Sequence, residues 1–167
     1  EEVAIEDLIS LEDYYKTDIH LKQEAYFDYV RKFMKRTGRE ANVQYTKKFY
    51  RPFYGASYSK GPSFMETDTI EYFTNDMLDR VSVKHLEFGE KKVYDEEKLL
   101  GVDSYDVFLS GPSSSIEIVN DEVEDGHLIV FRDSFASSLV PLMIPYYNKI
   151  TLVDLRYINM SIVEKNV

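Results

Sequence analysis

The chain of 167 residues contains no cysteine and no tryptophan. The missing thiols exclude disulfides, thiolate zinc sites and cysteine nucleophiles, while leaving the compartment open, because exported proteins without disulfides exist. Positive charge is also scarce: Lys and Arg total 20 against 30 for Asp and Glu, a formal net charge of -10. A chain this acidic has no general electrostatic footprint for a polyanion, which argues against nucleic acid as a partner. No apolar run approaches the ~20 residues needed to cross a bilayer, so membrane association is expected only through segments absent from this sequence. The opening EEVAIEDLIS lacks the basic-then-apolar order of a secretory signal and lacks an initiator Met. The chain is therefore expected to be a processed protein or the C-terminal portion of a longer one.

What the sequence does contain is aromatic, with 14 Tyr and 10 Phe. Most are expected in core and sheet, and any exposed rings suit sugars or peptides. The length fits a single domain, 1–167, and a chain of this size buries roughly 70% of its unfolded surface. A helix is predicted over Leu21 to Arg36, where Leu21, Ala25, Tyr26, Tyr29, Val30, Phe33 and Met34 recur at three- and four-residue spacing and Gly38 stops the run. Tyr45 to Phe64 reads as an extended segment followed by an irregular loop. Val81 and Val83 alternate with polar neighbours, and YDEEKLLG reads as a helical turn ending at Gly101. FLSGPSSS, residues 108–115, is a Gly-Pro-Ser turn. A short strand over Ile116 to Asn120 precedes the acidic turn NDEVEDG, whose spacing does not match an EF-hand loop.

The last third carries the clearest pattern. HLIVF and KITLVDL are Val/Ile/Leu runs expected to be buried on both faces, joined by a helix beginning near Ser134. This is the signature of a β-α-β unit in a parallel sheet. Ser134 then lies at the carboxyl edge, where open α/β sheets place their ligands. A serine there projects its hydroxyl into the crevice, with helix-start N–H groups available to an oxyanion. The alternative is a simple helix cap made by Asp133 or Ser134. Asp18 and His20, two residues apart, would face one pocket if the backbone between them is extended. The carboxylate would orient the imidazole and the imidazole would take the Ser134 proton, whereas capping by Thr17 or Asp18 is the competing explanation. His85 and His127 have no comparable neighbours.

The stretches YYKTDIHLKQEAYFDYV, GASYSKG, LSGPSSSIEI and VFRDSFASSLVPLMIPYYNKITLVDLRYINMSIVE resemble the DHHW family of bacterial proteins. That family is similar to SGNH hydrolases, in particular to the alginate O-acetyltransferase-like branch. The resemblance implies an α/β, SGNH hydrolase-like domain, a mostly parallel sheet flanked by helices, with N-terminal elements found in relatives missing here. It also implies a triad of Asp18, His20 and Ser134. Two departures stand out: Ile19 and Leu21 replace the first His and the Trp of the family's name-giving motif, and Arg132 stands where the superfamily has Gly before Asp-Ser. Gly111 is the candidate oxyanion donor, with turn chemistry as its alternative. Arg156 is a candidate substrate contact or an ion-pair partner of Asp154 or Asp133. Tyr54 and Tyr58 are candidates for the wall of a carbohydrate groove, or for a packed aromatic loop. The implied function is serine-dependent hydrolysis or O-acetyl transfer on an extracellular or cell-envelope glycan, with an acylated carbohydrate or acyl donor as partner and no cofactor or metal. The rival is a noncatalytic glycan-binding or envelope-assembly module with the same fold.

Overall fold

Alternating burial builds the main sheet. In β3 (Ser82–His85), Val83 and His85 point inward while Ser82 and Lys84 face solvent, the period-two pattern of a half-buried strand. The computed structural model describes residues 4–58 and 66–157. Among these, five strands form one sheet in the order β4-β3-β5-β7-β6, with β4 at Gly89–Lys91, β5 at Ser115–Val119, β6 at His127–Phe131 and β7 at Lys149–Val153. Two further strands, β1 (Thr46–Phe53) and β2 (Asp68–Thr74), pair antiparallel as a separate sheet.

The architecture is α/β, but the main sheet is mixed rather than mostly parallel. Among the described strands of this sheet only β6 and β7 run parallel, with Leu128 beside Ile150 and Val130 beside Leu152. The other three pairings are antiparallel. The crossover through residues 132–148 imposes a parallel partner on β7 from one side. From the other side β5 arrives in the opposite sense, and β3 and β4 are joined by a tight turn that permits only an antiparallel pair.

The expectation that both runs of the β-α-β unit are buried holds for β7 alone. Ile150, Thr151, Leu152 and Val153 are all buried. Strand β6 lies at the edge of the described sheet, and its side chains alternate between half-buried and exposed, leaving Ile129 and Phe131 in solvent. An edge strand has one neighbour instead of two, so the same apolar composition buries less.

The two predicted helices are shorter than the pattern suggests. The predicted helix over Leu21 to Arg36 begins later. Leu21 is held in a bridge with Tyr14, residues Gln23–Tyr26 form a 3-10 turn, and the α-helix α1 occupies Phe27–Thr37. Gly38 closes it in the left-handed conformation, φ 70°, with Arg39 N–H donating to the Met34 carbonyl. The helix after Ser134 is also short. Helix α3 spans Ala136–Leu139 and then degenerates into 3-10 turns at Val140–Leu142 and Ile144–Tyr146, because Pro141 and Pro145 supply no N–H to an α-helical ladder. Helix α2 (Asp76–Arg80), placed between α1 and α3 in the chain, is capped by Asn75, whose side chain accepts from the Leu78 N–H.

One buried polar residue links these pieces. Gln23, fully buried, donates to the Ser138 carbonyl and the Tyr94 hydroxyl and accepts from the Phe73 N–H. It thereby joins the segment after His20, strand β2 and helix α3. With both ends of the amide satisfied, its burial carries no unpaired-group cost.

Candidate active site

Ser134 sits in a turn between β6 and α3. Arg132 N–H donates to the Val153 carbonyl, carrying the parallel ladder one residue past β6. Asp133 Oδ1 then accepts the Phe135 N–H at 3.0 Å, folding the chain back tightly. The Ser134 carbonyl accepts from Ser137 N–H, while its hydroxyl serves no cap and instead lies 2.8 Å from His20 Nε2.

His20 reaches this point from a loop of bends, without the extended backbone that would by itself put alternate side chains on one side. The loop, residues 15–20, is pinched at its base by the Tyr14–Leu21 bridge, by Tyr15 N–H to the His20 carbonyl and by Lys22 N–H to the Asp13 carbonyl. Within it, Asp18 Oδ1 accepts both the His20 backbone N–H at 3.0 Å and His20 Nδ1 at 2.5 Å. The carboxylate thus caps the turn and holds the ring at once, so the capping and orienting roles coexist in one side chain. A carboxylate only accepts, so Nδ1 carries the proton and Nε2 is left to accept from the Ser134 hydroxyl. Asp18 and His20 are buried, 7% and 8% exposed. Burial pushes the Asp18 carboxyl up, but the hydrogen bonds from the His20 ring, the Ala56 N–H and the His20 N–H outweigh it and hold the group below its ordinary 3.8.

Two further supports are not legible as motifs. Asp18 Oδ2 accepts the Ala56 N–H at 2.8 Å, and this contact depends on Gly55. A Cβ there would run into the Thr17 carbonyl and Asp18 Cβ. Thr17, fully buried, accepts the Gly55 N–H on its hydroxyl and the Ser57 N–H on its carbonyl, and donates from N–H and hydroxyl to Asp68 Oδ2 at 2.6 Å each. The second support is Tyr105, whose ring stacks on the His20 imidazole with centroids 3.8 Å apart and planes 10° apart. Phe135 also approaches the imidazole, at 5.0 Å and 55°. No spacing rule connects position 105 or 55 to position 20.

The remaining candidates do not join this line. The Gly111 N–H donates to the Phe108 carbonyl at 3.2 Å, so it is engaged in its own turn and is not free for an oxyanion. Gly111 has φ 93° and follows Leu109 and Ser110, which also have positive φ. Its lack of a side chain lets Asp106 approach closely. Arg156 makes a two-pronged ion pair with Asp154, Nε to Oδ1 at 2.9 Å and Nη2 to Oδ2 at 2.6 Å. Arg132, the residue replacing Gly, sends its guanidinium to the Ser137 hydroxyl and the Ser113 carbonyl. Tyr54 and Tyr58 pack edge to face, centroids 4.8 Å apart, with Tyr54 exposed. The end of the loop predicted within Tyr45 to Phe64, from residue 59 on, lies outside the described residues. His127 bonds Thr151, and His85 bonds the Leu109 carbonyl. Beside the serine turn opens a groove of about 970 Å³, lined by Ile9, Leu21, Phe135, Leu139 and Arg132 among others.

The chain matches no protein-family profile and no curated protein. Solved structures, however, do resemble it. A DHHW family protein from Eubacterium siraeum superposes with a TM-score of 0.68 at 20% identity, covering 92% of this chain and 55% of its own. The chain has the fold of a DHHW family protein. Bacillus cereus PatB1 with a sulfonyl adduct superposes on this DHHW-type fold with a TM-score of 0.69 at 18% identity, covering 92% of this chain and 56% of its own. A second PatB1 structure gives 0.68 at 15% identity, with 97% and 63% coverage. The chain therefore spans a little over half the length of these proteins.

Proposed function

We propose that the protein is a serine-dependent acyl-ester hydrolase or O-acetyltransferase acting on an extracellular or cell-envelope glycan. The observation that carries this reading is the unbroken hydrogen-bonded line from Asp18 Oδ1 through the His20 ring to Ser134 Oγ, 2.5 Å and then 2.8 Å. It joins residues 114 positions apart, which capping alone would not require.

In the first half-reaction, Ser134 Oγ bonds to the ester carbonyl carbon as His20 Nε2 takes the hydroxyl proton. Collapse of the tetrahedral species breaks the bond to the leaving alkoxide, which receives that proton from His20. In the second half-reaction, water or a sugar hydroxyl gives its proton to His20 and attacks the acyl-serine, and Ser134 regains the proton as it leaves. Asp18 stays ionised and stabilises the imidazolium formed in each half. The Ser134 N–H, with no acceptor among the described residues, is the proposed oxyanion donor in place of Gly111. Exposed Tyr54 offers a ring face to a sugar. The sulfonyl adduct recorded for PatB1 is the product expected of an activated nucleophile, which supports the reading by likeness of fold.

The test is covalent. On treatment with phenylmethylsulfonyl fluoride the protein should gain one sulfonyl group by intact mass, and Ser134→Ala should gain none. Aryl acetate turnover should fall in that variant by at least about 10⁴-fold. A folded wild type inert to both reagents favours the noncatalytic glycan-binding module instead.

A further inference from the structure

The hydrogen bonds of His20 lie in the plane of its ring. Asp18 holds Nδ1 and Ser134 meets Nε2, but two in-plane contacts do little to stop the imidazole tipping out of plane about the line that joins them. Tipping would swing the Nε2 lone pair off the Ser134 hydroxyl. A contact on the ring face would resist this; Phe135 meets the ring at a tilt, whereas Tyr105 is placed to press flat on it. Its ring lies nearly parallel to the imidazole at stacking distance.

Tyr105 is itself immobilised. It is 4% exposed, its ring packs against Phe108 with centroids 5.1 Å apart, and its hydroxyl lies 2.8 Å from the Ser138 hydroxyl. Ser138 is fully buried on α3, the helix that follows the serine turn. Burial pushes the phenol well above its ordinary range, so it remains a neutral, hydrogen-bonded anchor. The plate that backs the imidazole is thus fastened to the helix that follows the nucleophile. His20 and Ser134 are set against a common reference, although they come from opposite ends of the chain.

We infer that Tyr105 is a positioning residue that fixes the plane of the His20 imidazole relative to Ser134. This rests on the proposed serine chemistry, but it also has a readout independent of that chemistry. A stacked tyrosine shifts the His20 ring C–H proton resonances upfield through its ring current. The experiment compares Tyr105→Phe, which keeps the plate and loses the anchor, with Tyr105→Leu and Tyr105→Met, which remove the plate. His20 is observed by NMR, and the rate of Ser134 sulfonylation by phenylmethylsulfonyl fluoride is measured alongside.

Misplacement on the scale of an ångström costs about 10²-fold in rate, so Tyr105→Leu and Tyr105→Met should label about that much more slowly and lose the upfield shift. Tyr105→Phe should keep the shift and react within about tenfold of wild type, rescuing most of the loss. Tyr105→Met retains bulk and flexibility where Tyr105→Leu fails to fold. A folded Tyr105→Met that labels at the wild-type rate overturns the inference, as does a Tyr105→Phe variant as slow as Tyr105→Met. If wild type itself does not label, the serine chemistry fails. The inference then stands or falls on whether His20 shows the ring-current shift that Tyr105→Met abolishes.

Discussion

Ser134 arrives at the site on regular structure, at the end of a parallel strand pair whose ladder extends one residue past β6. Asp18 and His20 arrive on a loop of bends, outside any strand or helix. The first arm is positioned by backbone pairing, which repeats along β7 and tolerates the loss of any one side chain. The second is positioned by single contacts from distant segments: Ala56 on Asp18, Gly55 and Asp68 on Thr17, Tyr105 on the His20 ring. Each of these occurs once, so each is a point of failure. The contrast predicts that substitutions of similar size will have different consequences in the two arms.

The largest effect should follow Asp18→Asn. In either orientation of the amide, its NH2 faces an N–H that the carboxylate now accepts, from Ala56 on one side or from His20 on the other. Turned to satisfy Ala56, it presents a donor to the imidazole and selects the wrong tautomer, which costs about 10⁴-fold in rate in the serine-protease case. One buried donor is left facing another donor, costing about 1–3 kcal/mol. Because hydrogen bonding holds the Asp18 carboxyl below 3.8 in the folded protein, its contribution is fully present above that value and is lost as pH falls through the lower folded value. The melting difference between wild type and Asp18→Asn should therefore be largest near neutrality and shrink below pH 3.8. A constant difference down to acid pH would mean that the carboxylate is not the group being read.

A smaller but more telling loss should follow Gly55→Ala, because position 55 touches neither His20 nor Ser134 in any hydrogen bond and acts only by letting its loop close on Thr17 and Asp18. A methyl group there displaces the Ala56 N–H from Asp18. Sulfonylation of Ser134 should slow by about 10²-fold, the scale of a one-ångström misplacement. An unchanged rate in a folded Gly55→Ala protein would show that the second arm is as redundant as the first, and the contrast would fail.

The two arms also differ in how far they could be read from the sequence. The β6-turn-β7 unit is legible because its information is local: apolar runs of strand length, a polar break between them, and prolines that end the helix. The edge position of β6 is not local, since a run such as HLIVF is equally compatible with one neighbour or two. For the same reason the antiparallel partner of β7 escapes the pattern. In the second arm, Asp18 and His20 stand out through their two-residue spacing and family resemblance, but the backbone that unites them is not extended. Gly55, Ala56 and Tyr105 carry no periodic or spacing signal toward them. Gly111 shows the converse. Its turn composition is plain in the sequence, yet its N–H is spent within the turn.

The smallest effect should come from Ile129→Thr, on the strand that delivers the nucleophile. Ile129 is 43% exposed and pairs with Thr151 through backbone register, with no packing role in the buried core. Threonine keeps the β-branch that suits a pleated strand, and its hydroxyl faces water, so no unsatisfied polar group is created. Stability should stay within about 0.5 kcal/mol of wild type, as for surface substitutions away from special features. Ser134 sulfonylation should not change. The position of Ser134 depends on the Arg132 N–H to Val153 carbonyl bond and on the Asp133 turn, and neither involves the side chain at 129. Measuring melting and labelling together makes this the sharpest check on the contrast. A tenfold slowing without loss of stability would mean that the edge strand transmits side-chain changes to the serine, and backbone pairing would then not be what makes the first arm robust.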